Sequence, residues 1–188
     1  AFLYAGPGYG GSCFPKDVSA LIHLGRDNNL PLSVVEATAT ANEAQKAYVV
    51  DKIRSCFPQG LSGKTIAVWG LAFKPLTDDV RDAPAGFLVQ QLLAEGAIVR
   101  AHDPEASENF AKVFAPINEK TSYHNDEYEC VDGADALVLM TEWRHFRNPD
   151  FDEIKRRMRN LHVIDARSIW SVFKLAQQGF EYLAIGTR

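Results

Sequence analysis

One short segment near the start of the chain concentrates the residues that could do chemistry. It reads GPGYGGSCFPKD, and it places Cys13 after four glycines, with Lys16 and Asp17 close behind. Glycines let backbone approach a ligand closely and leave the thiol accessible. Pro15 suits the first turn of a helix, so Cys13 would lie near a helix N-terminus, where the dipole and Lys16 favour the thiolate. Asp17, one turn further on, would lie on the same face and could bond water or a reacting oxygen. A nucleophile, a positive field and a carboxylate together predict covalent catalysis.

Two other interpretations of this segment need to be weighed. Gly6, Gly8 and Gly11 formally satisfy the GxGxxG pattern of dinucleotide binding. That pattern needs a strand before it and an apolar helix directly after it, whereas SCFPKD follows here, so we reject it. In the second interpretation Cys13 is a small buried residue in a glycine-rich turn, because free cysteine is among the most buried residue types. The chemistry of the segment alone leaves this alternative open.

The composition is ordinary for a globular protein. The 188 residues are 46% hydrophobic and 23% charged, with a formal net charge of -4, so we expect no nucleic-acid partner. No apolar run approaches the roughly 20 residues of a membrane span, so we expect no membrane partner. The widely spaced Cys13, Cys56 and Cys130 predict reduced thiols in a cytoplasmic protein, and no cysteine or histidine spacing indicates a metal. The N-terminal residues resemble neither a natural start nor a signal peptide, so we expect a fragment of a longer protein.

The elements that must position the cysteine segment fall into two regions. Residues 1–58 are predicted to hold the cysteine loop and two helices, KDVSALIHLGRDNNL and SVVEATATANEAQKAYVVDKIRSCF, the second capped by Ser33 and stopped by Pro58. An apolar stripe at helical spacing runs along the second helix through Val35, Ala39, Asn42, Lys46, Val49 and Ile53. Two helices cannot enclose a core alone. They must pack on the following domain, on further chain or on another subunit, and a long striped helix favours the last two.

Residues 59–188 alternate between strand and helix patterns. The predicted strands are TIAVWGLAF, AIVRAHDP, ALVLMTE, HVIDAR and FEYLAIG. The predicted helices are APAGFLVQQLLAEG, SENFAKVF, DFDEIKRRM and SIWSVFKLAQQG. This alternation predicts an α/β fold with a doubly wound, mostly parallel, Rossmann-like sheet, preceded by the helical segment.

The cysteine segment closely resembles the cysteine motif of the UDP-glucose 6-dehydrogenases, within the wider UDP-glucose/GDP-mannose dehydrogenase family. Other segments agree in the family's order. GLAFKPLTDDVRDAP resembles the signature that opens its C-terminal domain, AHDP the end of that domain's second strand, LVLMTEWRHF its fourth-strand segment, and VIDAR the strand that carries its late arginine. The resemblance covers essentially the whole chain.

The resemblance implies an NAD-dependent oxidation of the C6 alcohol of UDP-glucose to UDP-glucuronate in two hydride transfers. It makes Cys13 the nucleophile of a thiohemiacetal and thioester, makes Asp17 the carboxylate that handles water, and assigns Lys16 and Arg81 to cofactor binding. The substrate-binding residues that it implies are Phe2, Leu3, Tyr4, Ala5, Gly6, Gly10, Phe73, Lys74 and Arg167. It also implies a homodimer through the long helix and an N-terminal NAD-binding domain outside this chain, so we expect the chain alone to be inactive.

Several alternatives remain open from the residues. Lys74 could be a solvated loop lysine that contacts no substrate. Arg81 could form an ion pair with a neighbouring acid instead of contacting the cofactor, and the candidate acids are Asp78, Asp79 and Asp82. Asp103 could bond a ribose or form a turn. Arg167 follows a predicted strand, where ligands of parallel sheets bind. The substrate could instead be GDP-mannose or a UDP-N-acetyl-hexosamine, and the chain could be a nucleotide-binding or oligomerisation module with an inert cysteine.

Overall fold

The computed structural model describes residues 4–186 and contains a six-stranded sheet in which every pairing between strands is parallel. The strands are β1 Thr65–Trp69, β2 Ile98–His102, β3 Thr121–Tyr123, β4 Ala136–Leu139, β5 His162–Asp165 and β6 Glu181–Ala184. Their order across the sheet is β3-β2-β1-β4-β5-β6. This is the order of a doubly wound Rossmann-type sheet, so the predicted fold class is confirmed.

The central strands show why the pattern of apolar residues predicted a parallel sheet. All four residues of β4 are buried, and so are four of the five residues of β1. Strands that are covered on both faces have no solvent-facing positions, so apolar residues run continuously along them instead of alternating.

Six α-helices accompany the sheet within the described residues. They are α1 Phe14–Asp27, α2 Ser33–Cys56, α3 Pro84–Ala94, α4 Ser107–Val113, α5 Glu127–Cys130 and α6 Phe151–Arg157. Pro84 lies in the first turn of α3, as predicted. None of these helices is both long and apolar enough to cross a membrane.

The long helix α2 packs on the sheet domain through its C-terminal half. Val49, Val50 and Ile53 are almost fully buried and belong to the same hydrophobic core as the strands. In this half the predicted stripe faces inward and is covered by the sheet of the same chain, whereas the expectation favoured further chain or another subunit. The predicted cap is wrong: Ser33 is the first helical residue, and Leu32 precedes it without a side-chain cap.

One predicted helix is wrong. SIWSVFKLAQQG forms two short 3-10 turns, Ser171–Phe173 and Leu175–Gln178, separated by Lys174 in the left-handed region at φ 51°. The indole of the fully buried Trp170 donates a hydrogen bond of 2.6 Å to Phe146 O, and its backbone N–H donates one of 2.7 Å to Asp165. These tertiary bonds fix the chain at Trp170 and override the local helix propensity. The short elements β3 and α5 were not predicted.

The carboxyl end of the sheet is organised around the buried carboxylate of Asp103, which follows β2. Its Oδ2 atom accepts hydrogen bonds from Leu71 N–H at 2.7 Å, Ala72 N–H at 3.1 Å and the Trp143 indole at 3.1 Å. Its Oδ1 atom accepts from the backbone N–H groups of Glu105 and Ala106. Asp103 is only 4% exposed, and both of its oxygens accept hydrogen bonds from the protein. The interpretation in which Asp103 binds a ribose is therefore rejected, and the residue has a structural role.

Replacing Asp103 by alanine should lower the free energy of unfolding by about 3 kcal/mol, because five N–H groups lose a charged acceptor. Urea denaturation followed by circular dichroism measures this change. Asp152→Ala is the matched control, since Asp152 is exposed on α6 and should shift the free energy by less than about 0.5 kcal/mol. Equal, small effects of the two substitutions would contradict the structural role of Asp103.

Candidate functional site

The glycine segment before Cys13 packs directly against the loop that follows β1. Gly11 donates a backbone hydrogen bond of 2.9 Å to Arg81 O. A Cβ atom on Gly10 would lie 2.3 Å from Asp82 O, and one on Gly11 would lie 2.7 Å from the ring of Phe73. Neither position has room for a side chain, and Gly11 also adopts a φ of +91°. The glycines therefore allow the cysteine segment to touch the sheet domain.

Helix α2 holds the same segment from another direction. The side chain of Asn42 accepts a hydrogen bond of 2.7 Å from Tyr9 N–H and donates one of 3.2 Å to Tyr9 O. Gln45 donates a hydrogen bond of 2.7 Å to Gly6 O. Sequence analysis did not assign these two positioning residues. The sequence carried a signal for Asn42, which is a polar residue in the apolar stripe, and the structure shows that it is buried.

Cys13 directly precedes α1 and is exposed. Pro15 lies in the first turn of the helix as predicted, and Asp17 N–H donates a hydrogen bond of 2.8 Å to Cys13 O. The exposed Nζ of Lys16 lies 3.3 Å from Asp17 Oδ1, which pairs these two charges in the first turn of α1. The interpretation of Cys13 as a buried residue in a turn is wrong.

Arg81 pairs with one of the three acids that the sequence allowed. Its Nε donates to Asp79 Oδ1 at 2.9 Å and its Nη2 to Asp79 Oδ2 at 2.8 Å. The hydrogen bonds of this bidentate pair lower the pKa of Asp79 and raise the pKa of Arg81. The nearby Cys13 thiol also raises the pKa of Arg81, but by less. The Arg81 side chain remains 68% exposed. It lines an open cleft of about 320 Å³ together with Asn109 and Lys112.

Arg167, which follows β5, connects three parts of the site. Its Nε donates a hydrogen bond of 2.7 Å to Met140 O and lies 3.0 Å from Glu142 Oε2. Its Nη2 donates a longer hydrogen bond of 3.5 Å to Phe73 O. A Cβ atom on Gly6 would lie 3.0 Å from its Nη1. Burial lowers the pKa of Arg167, while the negative charges of Glu142 and Asp165 oppose this shift.

The other predicted substrate residues lie around these contacts. Lys74 is exposed, with its Nζ atom 5.2 Å from the centroid of the half-buried Phe73 ring. Tyr4 and Ala5 are exposed at the start of the described chain, and the predicted residues Phe2 and Leu3 lie outside the described residues. The structure therefore brings the segment around Gly6, Gly10 and Cys13 together with Phe73, Arg81 and Arg167.

Comparison with known proteins identifies similar sequences and folds. Residues 67–172 match the UDP binding domain of the UDP-glucose/GDP-mannose dehydrogenase family, and residues 1–44 match its central domain. A UDP-glucose 6-dehydrogenase from Pseudomonas aeruginosa is 43% identical over 187 residues, which are 98% of this chain and 41% of that protein. The chain thus spans about two fifths of the length of this relative.

Two solved structures are similar over most of the chain. The UDP-glucose dehydrogenase of Pyrobaculum islandicum is 32% identical with a TM-score of 0.79, over 96% of this chain and 38% of that protein. The UDP-D-ManNAc dehydrogenase of Pyrococcus horikoshii is 28% identical with a TM-score of 0.78, over 96% of this chain and 39% of that protein.

Cys13 should react with iodoacetamide at pH 8 at least about tenfold faster than the other two thiols. Burial, with a smaller effect of Glu181, raises the pKa of Cys56 to about 11, and burial raises the pKa of Cys130 to about 12. At pH 8 only about one thousandth of Cys56 is therefore thiolate, and less of Cys130. Peptide mass spectrometry over time measures the three rates, and a Cys13→Ser variant should show slow labelling only. Equal rates at the three thiols would contradict the exposure of Cys13.

Proposed function

The chain belongs to the UDP-glucose/GDP-mannose dehydrogenase family, and on that basis we propose that it is the part of an NAD-dependent UDP-glucose 6-dehydrogenase that carries the catalytic cysteine and binds the sugar nucleotide. Residues 1–58 supply the cysteine loop and central helices, and residues 59–188 form the UDP-sugar-binding domain. The observation that carries this proposal is an exposed Cys13 whose glycine segment packs against Phe73, Arg81 and Arg167.

Lys16 and Arg81 would hold the cofactor. Both side chains are exposed cations, and Asp79 fixes the Arg81 guanidinium in one orientation through two hydrogen bonds. Their charge fits the diphosphate of a dinucleotide. When bound, NAD would supply the hydride acceptor for both oxidations.

Cys13 would act between the two oxidations. Its thiolate adds to the C6 aldehyde, which forms a carbon–sulfur bond, and the resulting alkoxide takes up a proton to give a thiohemiacetal. The adduct retains the aldehyde on the protein and provides the C–H bond whose oxidation gives a thioester. Water then attacks the thioester carbonyl, the carbon–sulfur bond breaks, and the acid and the free thiol are released. Asp17, one helical turn from Cys13, would accept the proton of that water.

Three side chains would bind the UDP-sugar at the carboxyl end of the sheet. Lys74 offers an exposed point charge to the diphosphate. Arg167 is mostly buried and held by Met140 and Glu142, so its guanidinium is already oriented before a ligand binds. Phe73 presents a half-buried ring, whose centroid lies 5.2 Å from Lys74 Nζ. The exposed Tyr4 and Ala5, with Gly6 and Gly10, would cover the nucleotide from the other side.

The wider setting of this proposal includes a cytoplasmic homodimer. All three cysteines are free thiols, which supports a reducing compartment. The exposed residues of α2, among them Val34 and Tyr48, would be covered by a second subunit. The 28% identical relative from Pyrococcus horikoshii, whose name specifies UDP-D-ManNAc, keeps a UDP-N-acetyl-hexosamine as the second candidate substrate.

Cys13→Ser, made in the longer protein that carries this chain, should reduce formation of UDP-glucuronate by about a hundredfold or more, because no thiohemiacetal forms. Asp17→Asn should slow the hydrolysis step and lead to accumulation of covalently modified Cys13, which intact-mass spectrometry detects. Asp27→Asn, at the other end of α1, is the matched control and should preserve turnover. A Cys13→Ser protein that turns over at the parent rate would refute the catalytic role of the thiol.

Lys74→Ala should weaken UDP binding by about tenfold, since one charge-assisted bond to the diphosphate is lost. Isothermal titration calorimetry of the 188-residue chain with UDP measures the Kd. Lys120→Ala, which removes another exposed lysine outside the site, should leave the Kd unchanged. Equal affinities of the parent chain and the Lys74→Ala variant would argue against a substrate contact at this position.

A further inference from the structure

A cysteine, a histidine and a glutamate meet at the amino end of the sheet, away from the proposed active site. Cys56 is the last residue of α2, and His162 and Glu181 are the first residues of the neighbouring strands β5 and β6. Each of the three residues offers one ligand atom, and these atoms lie within 4.8 Å of one another. They are a sulfur, a ring nitrogen and a carboxylate oxygen. The parallel register pairs His162 directly with Glu181. These residues are far apart in the sequence, so no spacing motif predicts the cluster.

The histidine in this cluster has a buried ring nitrogen that faces the glutamate. His162 Nδ1 lies 2.9 Å from Glu181 Oε2, which is ion-pair distance, but the contact does not have the geometry of a hydrogen bond. If this nitrogen carries no proton, its lone pair faces a negative oxygen, which is unfavourable. A cation bound to both atoms would satisfy them together. The ring is held in place by an edge-to-face contact with Phe57 at 5.1 Å between centroids.

The cysteine completes a donor set of mixed chemistry. The Cys56 side chain is half-buried, and its Sγ donates a weak hydrogen bond of 3.6 Å to Lys52 O and interacts with the Ser55 side chain. Thiolate, imidazole and carboxylate are the three ligand types that Zn²⁺ accepts, whereas Mg²⁺ and Ca²⁺ prefer oxygen alone. On coordination the thiol would release its proton to solvent.

We propose that Cys56, His162 and Glu181 bind one Zn²⁺ ion, with water as the fourth ligand. Tetrahedral zinc with bonds of about 2.0–2.3 Å places donor atoms about 3.5 Å apart, so rotation of the exposed Glu181 side chain and a small shift of Cys56 suffice. Strand β5 lies between this cluster, at its first residue, and Arg167, which follows its last residue, and the four residues of the strand span about 10 Å. The ion would therefore join α2 to β5 and β6 and stabilise the packing of the long helix on the sheet, without contact with the substrate.

The first test is zinc binding by the 188-residue chain after removal of metal with a chelator. Calorimetry should show one Zn²⁺ per chain, and the Tm should rise by about 5 to 10 °C when free zinc reaches a hundredfold excess over the Kd. With Co²⁺ in place of Zn²⁺, a thiolate-to-metal charge-transfer band should appear in the near-ultraviolet spectrum.

Variants identify the ligands. Cys56→Ser should abolish the charge-transfer band, whereas Cys13→Ser should retain it, which excludes adventitious binding at the exposed thiol. Glu181→Gln is an exposed substitution that should leave the metal-free chain folded and weaken zinc binding at least about tenfold. Glu105→Gln, also exposed, is its control. The proposal is overturned if zinc does not raise the Tm, if the band disappears with Cys13→Ser instead, or if Glu181→Gln binds zinc as tightly as the parent chain.

Discussion

The buried carboxylate of Asp103 is the interaction on which the candidate site depends. It accepts hydrogen bonds from N–H groups of the loops after β1, β2 and β4, and it thereby holds three separate chain segments together. Phe73 and Lys74 follow directly after two of its donors, Leu71 and Ala72. A charge buried this deeply is tolerated because five donors replace its hydration. The same hydrogen bonds hold the start of the loop that contacts the glycine segment.

The cations of the site are held in two different ways, and the difference fits different tasks. Arg167 is mostly buried and bound by a carbonyl, a carboxylate and the backbone of a neighbouring loop, so its position is set by the fold. Lys74, Lys16 and Arg81 are exposed to solvent, although Asp17 pairs with Lys16 and Asp79 orients the Arg81 guanidinium. A preoriented guanidinium reduces the entropy lost on binding, while exposed charges attract an anionic ligand.

Both ends of the sheet bring together residues from distant parts of the chain. At the carboxyl end, the glycine segment reaches the loops after β1 and β5, with Asn42 and Gln45 of α2 holding it in place. At the amino end, the last residue of the same helix meets the first residues of β5 and β6. Helix α2 therefore holds the cysteine segment through residues in its middle and contacts the sheet through its C-terminal end. The packing of one helix constrains the whole arrangement.

The sequence by itself determined the parallel sheet, because the continuous apolar run of β4 has no solvent-facing position. It also placed Pro15 in a first helical turn, where a missing N–H breaks no helical hydrogen bond, although the predicted helix began at Lys16 and α1 begins at Phe14. It also singled out Cys13 from its glycine neighbours. Only the tertiary structure decided that Arg81 pairs with Asp79, that Asp103 is a structural acceptor, and that SIWSVFKLAQQG forms two 3-10 turns. In each case the deciding partner lies on another element, and local residue preferences carry no information about contacts between elements that fold together from distant positions. The tertiary structure also decided that Cys56 lies beside His162 and Glu181, because strand register and helix packing bring these three side chains together.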